Sequence, residues 1–296
     1  STGRNVIGLA PSAQAAEVLG SELGIDAQTI DSLTHVWRGR HPSKPGGDVD
    51  ALPIAIGQGD MLLVDEAGMA TTDNLAALTE IAQQTGAVVR LIGDPHQLDA
   101  VGTGGLFGTM CRYSDAAELT QVMRFSHGND TEQADASLDI RRGDTDAVDF
   151  YDSRDWLVGG TRDTMLAQAV EHYLADIERG RNSLIVATTN ADVNVINEMI
   201  RAHFIDQGEV DTAREVALSQ GDTAGAGDVI IARKNARLPN PNDRNEPGPR
   251  VINGQMFRVQ KVHTDGSVTA ADTTSGQRLR LPADYVAANT HLGYAA

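Results

Sequence analysis

The sequence predicts an α/β fold built on a parallel sheet, followed by a region of short antiparallel strands. Two apolar runs, residues 61–64 and 88–92, each end in polar residues, and a helical pattern over 72–84 separates them. Short apolar runs without alternation are typical of strands that a parallel sheet buries on both faces. From about residue 225 the apolar spacing changes to every second residue, which predicts antiparallel strands and tight turns.

In the first half of the chain, residues that typically begin or end helices and strands predict the secondary structure. Pro11 ends the first apolar strand, and Ser12 can cap the helix after it. Residues 38–59, before the second strand, contain several Gly and Pro residues, which predicts a surface loop. The predicted elements are a strand at 5–10, a helix at 12–23, a helix at 29–37, a loop at 38–59, a helix at 72–84 and a helix that contains Leu106 and Phe107.

Two carboxylates, Asp65 and Glu66, directly follow the run at 61–64. Ligands of open α/β sheets bind beyond the carboxyl ends of the strands, so both side chains are expected at the mouth of a site. Burying them without a cation would cost several kcal/mol. A hydrated Mg²⁺ held by Asp65, with Glu66 orienting a water molecule, gives both carboxylates a role. A helix N-terminus after a strand explains the same pair, because carboxylates also suit that position.

The second apolar run is followed by Gly93, Asp94, Pro95, His96, Gln97 and Leu98. Gly93 and Pro95 predict a turn at the strand end. A glutamine at this place can hydrogen-bond a terminal phosphate and an attacking water molecule. Gly-Asp-Pro by itself is also an ordinary turn. Since parallel strands end at the same edge, we expect the acidic pair and Gln97 to converge on one rim.

The second half predicts another β-then-α unit and then a small β structure. Helical patterns cover 130–150, 163–179 and 191–206, and an apolar run at 183–187 predicts a buried strand. Thr188 and Asn190 follow that strand and also suit a helix N-cap. Basic residues cluster in a predicted loop and are Arg233, Lys234, Arg237, Arg244 and Arg250.

Composition narrows the class of protein. The chain has 296 residues and a formal net charge of −17, which argues against a general nucleic-acid binder because phosphate contacts dominate such affinity. A channel with a local positive potential remains compatible with that charge. Cys111 is the single cysteine, so the chain has no internal disulfide and no Cys-rich zinc site. No apolar run reaches membrane-spanning length.

The two strand-end segments resemble motifs II and III of superfamily-1 DNA helicases of the RecD-like branch. The resemblance is greatest to the helicase region of MobF-type conjugative relaxases. Further segments follow in the order expected of that family. Residues 8–16 resemble motif Ia, 119–125 resemble motif IV, and 227–235 with 251–255 resemble an insertion in the second motor domain.

The resemblance implies a RecA-like P-loop NTPase helicase core with two parallel-sheet motor domains. The first motor domain would cover residues 1–125, the second 126–224 with a continuation at 286–296, and an SH3-like β-barrel insertion 225–285. No Gly-x-x-x-x-Gly-Lys-Ser/Thr sequence occurs, and that loop supplies the main-chain phosphate cradle. We therefore expect an excised fragment in which both motor domains are incomplete.

The resemblance also implies roles for individual residues. Asp65 would bind Mg²⁺, Glu66 would orient the attacking water, Gln97 would sense the γ-phosphate of ATP, and Arg124 would stabilise charge during transfer. Asp94 would belong to the same nucleotide site. The implied DNA-binding positions are Pro11, Ser12, Thr29, Val101, Gly102, Thr188, Asn190 and Asn253.

The expected function is that of a fragment of an ATP-dependent DNA helicase within a relaxase-helicase that unwinds plasmid DNA for conjugation. The parent protein would be a cytoplasmic, monomeric motor that moves on single-stranded DNA. Its partner would be the conjugation machinery, and it would not insert into a membrane. The isolated chain would be inactive. The acidic balance and the missing loop favour an alternative, a degenerate helicase-fold scaffold or a protein- or single-strand-binding module. A metal-dependent hydrolase would need further ligands at useful spacing.

Overall fold

The computed structural model of the protein describes residues 4–40, 46–97, 103–119, 131–181, 183–239 and 247–295. The chain divides into two compact units, Ser1–Arg154 and Asp155–Ala296, here called unit 1 and unit 2. The helices between residues 131 and 152 group with unit 1. The predicted change of motor domain at 125/126 lies outside the described residues and stays a prediction.

Unit 1 is an α/β unit on a four-stranded parallel sheet. The strands follow the order β2-β1-β3-β4, and every neighbouring pair is parallel, which confirms the predicted class of the first half. The elements are β1 (Val6–Ala10), α1 (Ala13–Leu23), β2 (Asp26–Thr29), α2 (Ile30–Trp37), β3 (Met61–Val64), α3 (Thr72–Thr85), β4 (Val88–Leu91), α4 (Leu106–Tyr113), α5 (Thr131–Arg142) and α6 (Asp146–Asp152), with 3₁₀ turns at Val49–Ala51 and Ala67–Met69.

The two central strands carry the core of unit 1. Leu9 on β1 and Leu62 and Val64 on β3 are completely buried, and Leu78 and Ile81 of α3 belong to the same core. Burying one such side chain stabilises the fold by about 1.5–3 kcal/mol relative to leaving it exposed. The sheet therefore holds its strand ends on a rigid support.

Strand β2 was not predicted. Its sequence, Asp-Ala-Gln-Thr, has no apolar pattern, and it lies at the edge of the sheet next to β1. The predicted loop at 38–59 also contains buried residues, Leu52 and Ile56, beside its 3₁₀ turn. Polar edge strands and folded-back loops lack the periodic signal that marks a central strand.

The helix ends follow the local signals in the sequence. Ser12 caps α1 by accepting a hydrogen bond from the Ala15 N–H at 3.1 Å, as predicted. Gly24 and Gly86 end α1 and α3 in the left-handed conformation, with φ of 63° and 74°. The helix predicted over 130–150 is two helices, because Gly143 with φ of 76° interrupts it. Within the ranges given above, no helix is long and apolar enough to cross a membrane.

Unit 2 combines two long helices with antiparallel strands. Its main sheet has the order β12-β11-β10-β7-β13, and β5–β6 and β8–β9 form separate pairs. The elements are α7 (Arg162–Glu178), α8 (Asn190–Asp206), β5 (Asp211–Ala217), β6 (Thr223–Ala226), β7 (Val229–Ala232), β8 (Ala236–Pro239), β9 (Pro247–Val251), β10 (Met256–Val262), β11 (Val268–Asp272), β12 (Arg278–Leu281), α9 (Ala283–Asn289) and β13 (Thr290–Leu292).

The antiparallel strands confirm the prediction made from two-residue spacing after residue 225. The sheet extends past residue 285, because β13 pairs with β7. Closure into an SH3-like barrel stays a prediction. The predicted basic loop contains the strand pair β8–β9, in which Arg237 lies opposite Arg250; Arg244 lies outside the described residues.

The buried strand predicted at 183–187 is wrong. The segment makes one isolated parallel bridge, between Ile185 and Ala295, and the exposed fractions of Leu184 and Val186 are 60% and 74%. An apolar run forms a buried strand only where neighbouring strands pair with it. Elsewhere in the described part of unit 2 the strands pair antiparallel, so the parallel sheet predicted for a second motor domain is not seen there.

Candidate functional site

The carboxyl edge of the parallel sheet gathers the predicted acidic residues. Residues 61–64 of β3 pair in register with 88–91 of β4, so both strands end at the same level. Asp65 and Glu66 follow β3, and Asp94 follows β4 by three residues. The Asp65 N–H donates to the Leu9 carbonyl at 2.8 Å, which also ties the end of β3 to β1.

The segments after β3 and β4 are joined through their main chains. The Ala67 N–H donates to the Ile92 carbonyl at 2.8 Å, and the Ile92 N–H donates to the Val64 carbonyl at 2.8 Å. A side chain added at Gly93 would lie 2.9 Å from the Ala67 nitrogen, so only glycine permits this approach. The expected convergence on one rim is therefore observed for the main chains of the two segments.

A depression of about 390 Å³ lies beside the acidic pair. Asp65 and Glu66 are half-buried and form one wall, and one face of α1 forms another. Asp94 and Gln97 are not among the residues that line it. The lining residues are Ser12, Gln14, Ala15, Val18, Leu19, Glu22, Asp65 and Glu66.

The donor set suits Mg²⁺ bound together with a phosphorylated ligand. Among the described residues no group of three or more His, Cys, Asp or Glu side chains could enclose a metal ion by itself. Mg²⁺ at phosphoryl-transfer sites usually keeps several waters and takes one or two protein carboxylates plus substrate phosphates. Asp65 and Glu66 match that smaller requirement.

Asp94 has a partner that the sequence did not indicate. Its Oδ1 accepts a hydrogen bond from the His96 N–H at 3.0 Å and lies 2.7 Å from an Nη atom of Arg141 on α5. Arg141 is 47 residues away along the chain, and no local motif marks it. It places a cation at the otherwise acidic rim.

Gln97 is exposed. Its N–H donates to the Asp94 carbonyl at 3.3 Å, which closes the turn, and its side chain makes no hydrogen bond to another described residue. The side chain is therefore free to meet a ligand. Its role as a phosphate sensor stays a prediction.

Three DNA-binding positions predicted in unit 1 lie at the same edge as the acidic pair. Pro11 and Ser12 follow β1, and Thr29 ends β2. Ser12 and Thr29 both accept N-capping hydrogen bonds, the latter from the Ser32 N–H at 3.1 Å. These hydroxyls have a structural role, and contact with DNA stays a prediction.

The DNA-binding positions predicted in unit 2 are exposed. Thr188 precedes the capping residue of α8, which is Thr189, and Asn190 is the first residue of that helix. The Asn253 N–H donates to Asn235 Oδ1 at 2.8 Å. The remaining predicted site residues, Val101, Gly102 and Arg124, lie outside the described residues.

A basic face was missed because its cations are far apart in sequence. Arg258, Lys261, Arg278 and Arg280 share one side of the β10–β11–β12 sheet, through the pairs Arg258–Ala271–Arg278 and Lys261–Thr269–Arg280. We call these four residues the basic face. All four are exposed, whereas Val259, Val262, Leu279 and Leu281, which point to the other side, are buried. Strand periodicity could have grouped them, once the register was known.

Comparison with known proteins identifies relatives for most of the chain. A family model described as AAA domain matches residues 1–162. The chain is 32% identical over 240 residues to the probable conjugal transfer protein TraA of Sinorhizobium fredii (strain NBRC 101917 / NGR234), covering 79% of this chain and 20% of that protein. It is 30% identical over 243 residues to the conjugal transfer protein TraA of Agrobacterium fabrum (strain C58 / ATCC 33970), covering 80% and 20%. The chain thus spans about one fifth of the length of these relatives.

Proposed function

This chain belongs to the AAA domain family, and from that premise we propose that it is part of an ATP-dependent DNA helicase of a relaxase-helicase that acts in conjugal transfer. The observation that carries the proposal is that the segment with Asp65 and Glu66 is hydrogen-bonded on either side, through Val64 and Ala67, to Ile92, directly before the turn at 93–97. The names of the relatives support the conjugal setting.

Four residues have a task in this proposal. Bound ATP with Mg²⁺ would supply the transferable phosphoryl group and the counter-charge for the carboxylates. Asp65 would hold the Mg²⁺, and Glu66 would orient the attacking water from the neighbouring position. Gln97, whose side chain is free, would hydrogen-bond the terminal phosphate. Arg124 is proposed to neutralise charge that develops during transfer.

The proposal includes two RecA-like motor domains, an SH3-like insertion and a path for single-stranded DNA along the strand ends. The printed sequence contains no Gly-x-x-x-x-Gly-Lys-Ser/Thr loop. We therefore propose that this chain does not hydrolyse ATP by itself, and that hydrolysis belongs to the longer protein that contains it.

The test is a Glu66→Gln substitution in the longer protein that contains this chain. We expect steady-state ATP hydrolysis to fall by at least about 100-fold, because the water loses its orienting base, while affinity for oligo(dT) stays within about twofold of wild type. Glu22→Gln is the matched control, since Glu22 lines the same depression. Continued hydrolysis by Glu66→Gln would contradict the assignment.

A non-catalytic helicase-fold scaffold is the second candidate. The ion pair between Asp94 and Arg141 favours it, because that carboxylate is already engaged within the protein. Absence of ATP hydrolysis in the longer protein, with oligo(dT) binding retained, would favour this scaffold over the motor.

A further inference from the structure

Glu66 holds a backbone conformation that residues other than glycine rarely adopt. Its φ and ψ are 50° and 45°, and among the described residues only Asp155 shares a positive φ without being glycine. Left-handed backbone is unfavourable for a residue with a Cβ atom. The Glu66 side chain makes no capping hydrogen bond that would offset this.

The neighbouring main chain fixes this conformation from both sides. Before Glu66, the Asp65 N–H is bonded to the Leu9 carbonyl; after it, the Ala67 N–H is bonded to the Ile92 carbonyl, both at 2.8 Å. The Met69 N–H also donates to the Glu66 carbonyl at 2.9 Å. Glu66 is thus held between two anchored peptide groups, and the surrounding structure determines its geometry.

Glycine at position 93 makes the second anchor possible. A Cβ atom there would lie 2.9 Å from the Ala67 nitrogen, 3.2 Å from the Gly68 nitrogen and 3.3 Å from a ring carbon of Phe107. The first two atoms are main chain and cannot move aside as a flexible side chain could. Any side chain at 93 must therefore push the turn after β4 away from the segment after β3.

We propose that Gly93 is a positioning residue that keeps Glu66 in its left-handed conformation and so aims the Glu66 carboxylate along the rim. The catalytic use of the Glu66 carboxylate in this inference rests on the proposed function. The conformational part can be tested in this chain without nucleotide, so its failure is distinguishable from failure of the proposed function.

The first experiment measures thermal unfolding of unit 1 through Trp37 fluorescence in a Trp156→Phe background. We expect Glu66→Gly to raise the midpoint by roughly 2–4 °C, because glycine adopts the left-handed conformation freely. Glu66→Gln, which keeps a Cβ atom, should leave the midpoint within about 1 °C of wild type. Equal midpoints for Glu66→Gly and Glu66→Gln would overturn the claim of strain.

The second experiment tests whether Gly93 acts through Glu66. In Gly93→Ala we expect the Cα and Cβ chemical shifts of Glu66 to leave the left-handed range and the midpoint to fall. The fall should be at least halved in the Glu66→Gly background, since a flexible residue at 66 tolerates the displacement. The control is Gly108→Ala, whose Cβ would meet only Pro95 atoms at 3.8 and 3.9 Å.

Each outcome bears on the positioning role. A Gly93 with a purely local packing role would lower the midpoint equally in both backgrounds and leave the Glu66 shifts unchanged, which would overturn the proposal. If Gly93→Ala does not fold, Gly68→Ala replaces it, because its Cβ would lie 3.2 Å from the Asp94 carbonyl in the same contact. The same shift change and the same suppression are then expected.

Discussion

The sheets of the two units keep their ionisable groups in different places. In unit 1 the two central parallel strands, β1 and β3, are apolar, and the carboxylates gather where strands end, at Asp65, Glu66 and Asp94. In unit 2 the antiparallel sheet carries cations along one exposed face, and a completely buried carboxylate, Asp228, lies just before β7. The difference follows from geometry, because a parallel sheet buried on both faces leaves its ends for polar chemistry, whereas an antiparallel sheet can expose one face.

Charge is also unevenly distributed along the chain. Residues 223–296 contain nine Lys and Arg and six Asp and Glu, a net of +3, in a chain whose net charge is −17. A net charge for the whole chain therefore conceals a basic region of the kind that contacts phosphates. The excess of negative charge that disfavours a nucleic-acid partner lies in residues 1–222, which precede the main sheet of unit 2.

The largest expected effect tests the buried carboxylate of unit 2. Asp228 lies 3.0 Å from Arg201 Nε and accepts hydrogen bonds from the Tyr294 hydroxyl and the Gly225 N–H, both at 2.7 Å. Burial and the nearby Asp228 charge raise the pKa of Tyr294, so its hydroxyl stays protonated and donates. We expect Asp228→Ala to destabilise unit 2 by about 3–5 kcal/mol, since it leaves Arg201 without its buried partner. Hydrogen exchange of β7 measures the loss.

Glu215→Ala is the matched control for this prediction. Glu215 also contacts Arg201, but its side chain is 30% exposed, whereas that of Asp228 is completely buried. We expect it to cost less than about 1 kcal/mol, as for other partly solvated pairs. Equal losses from the two substitutions would mean that burial does not set the strength of the pair.

Short sequence patterns predicted some elements of unit 1 and missed others. The cap at Ser12 depends on nearby residues, and the apolar run at Met61–Val64 is typical of a central strand; both predictions were confirmed. The strand at Asp26–Thr29 was missed because its pairing with β1 is long-range. The segment 183–187 was wrong for the corresponding reason, since an apolar run does not specify its partner strands.

The candidate site was predictable to the same extent. Asp65, Glu66 and Asp94 were expected at one edge because the carboxyl ends of parallel strands meet at the same edge of a sheet. The contact between Asp94 and Arg141, and the left-handed conformation of Glu66, depend on tertiary packing and leave no local signal. The basic face needs the register of three strands, which the sequence alone does not supply.

A smaller effect is expected from reversing charges on the basic face. If this face contacts the phosphates of single-stranded DNA, Lys261→Glu with Arg278→Glu should weaken oligo(dT) binding by about tenfold or more at low salt. The slope of log affinity against log salt should decrease by about 0.7 for each lost phosphate contact. Fluorescence anisotropy with labelled oligo(dT), measured across a salt series, provides both quantities.

Arg179→Glu with Arg214→Glu changes the net charge by the same amount at two other exposed positions of unit 2. Because these residues lie off the basic face, we expect at most a twofold change in affinity and an unchanged slope, apart from long-range effects that salt screens. An equal loss of affinity in both double variants would mean that total charge determines binding. The basic face would then not be the DNA contact.

The smallest effect concerns Asp60, a buried carboxylate of unit 1 that accepts hydrogen bonds from the uncharged residues Asn5 and Gly57. Its two oxygens accept from the N–H groups of Asn5 and Gly57, both at 2.8 Å. These hydrogen bonds, that of Asn5 first, lower the pKa of Asp60 below its ordinary value of 3.8. Its contribution to stability is therefore present above pH 3.8 and is lost as the pH falls through the lower pKa of the folded state.

Asp60→Asn should cost about 1–2 kcal/mol at pH 7, because an amide offers one acceptor where the carboxylate offers two. Urea unfolding of unit 1 at a series of pH values from 7 downward measures the difference from wild type, which should shrink once the pH is below 3.8. Asp26→Asn, at an exposed residue of β2, should change the unfolding free energy by less than about 0.5 kcal/mol throughout. A difference for Asp60→Asn that stays constant with pH would mean that the lost interaction does not depend on the charge of Asp60. Asp60 and Asp228 would then differ in their packing, and not in whether hydrogen bonds or an arginine stabilise the charged carboxylate.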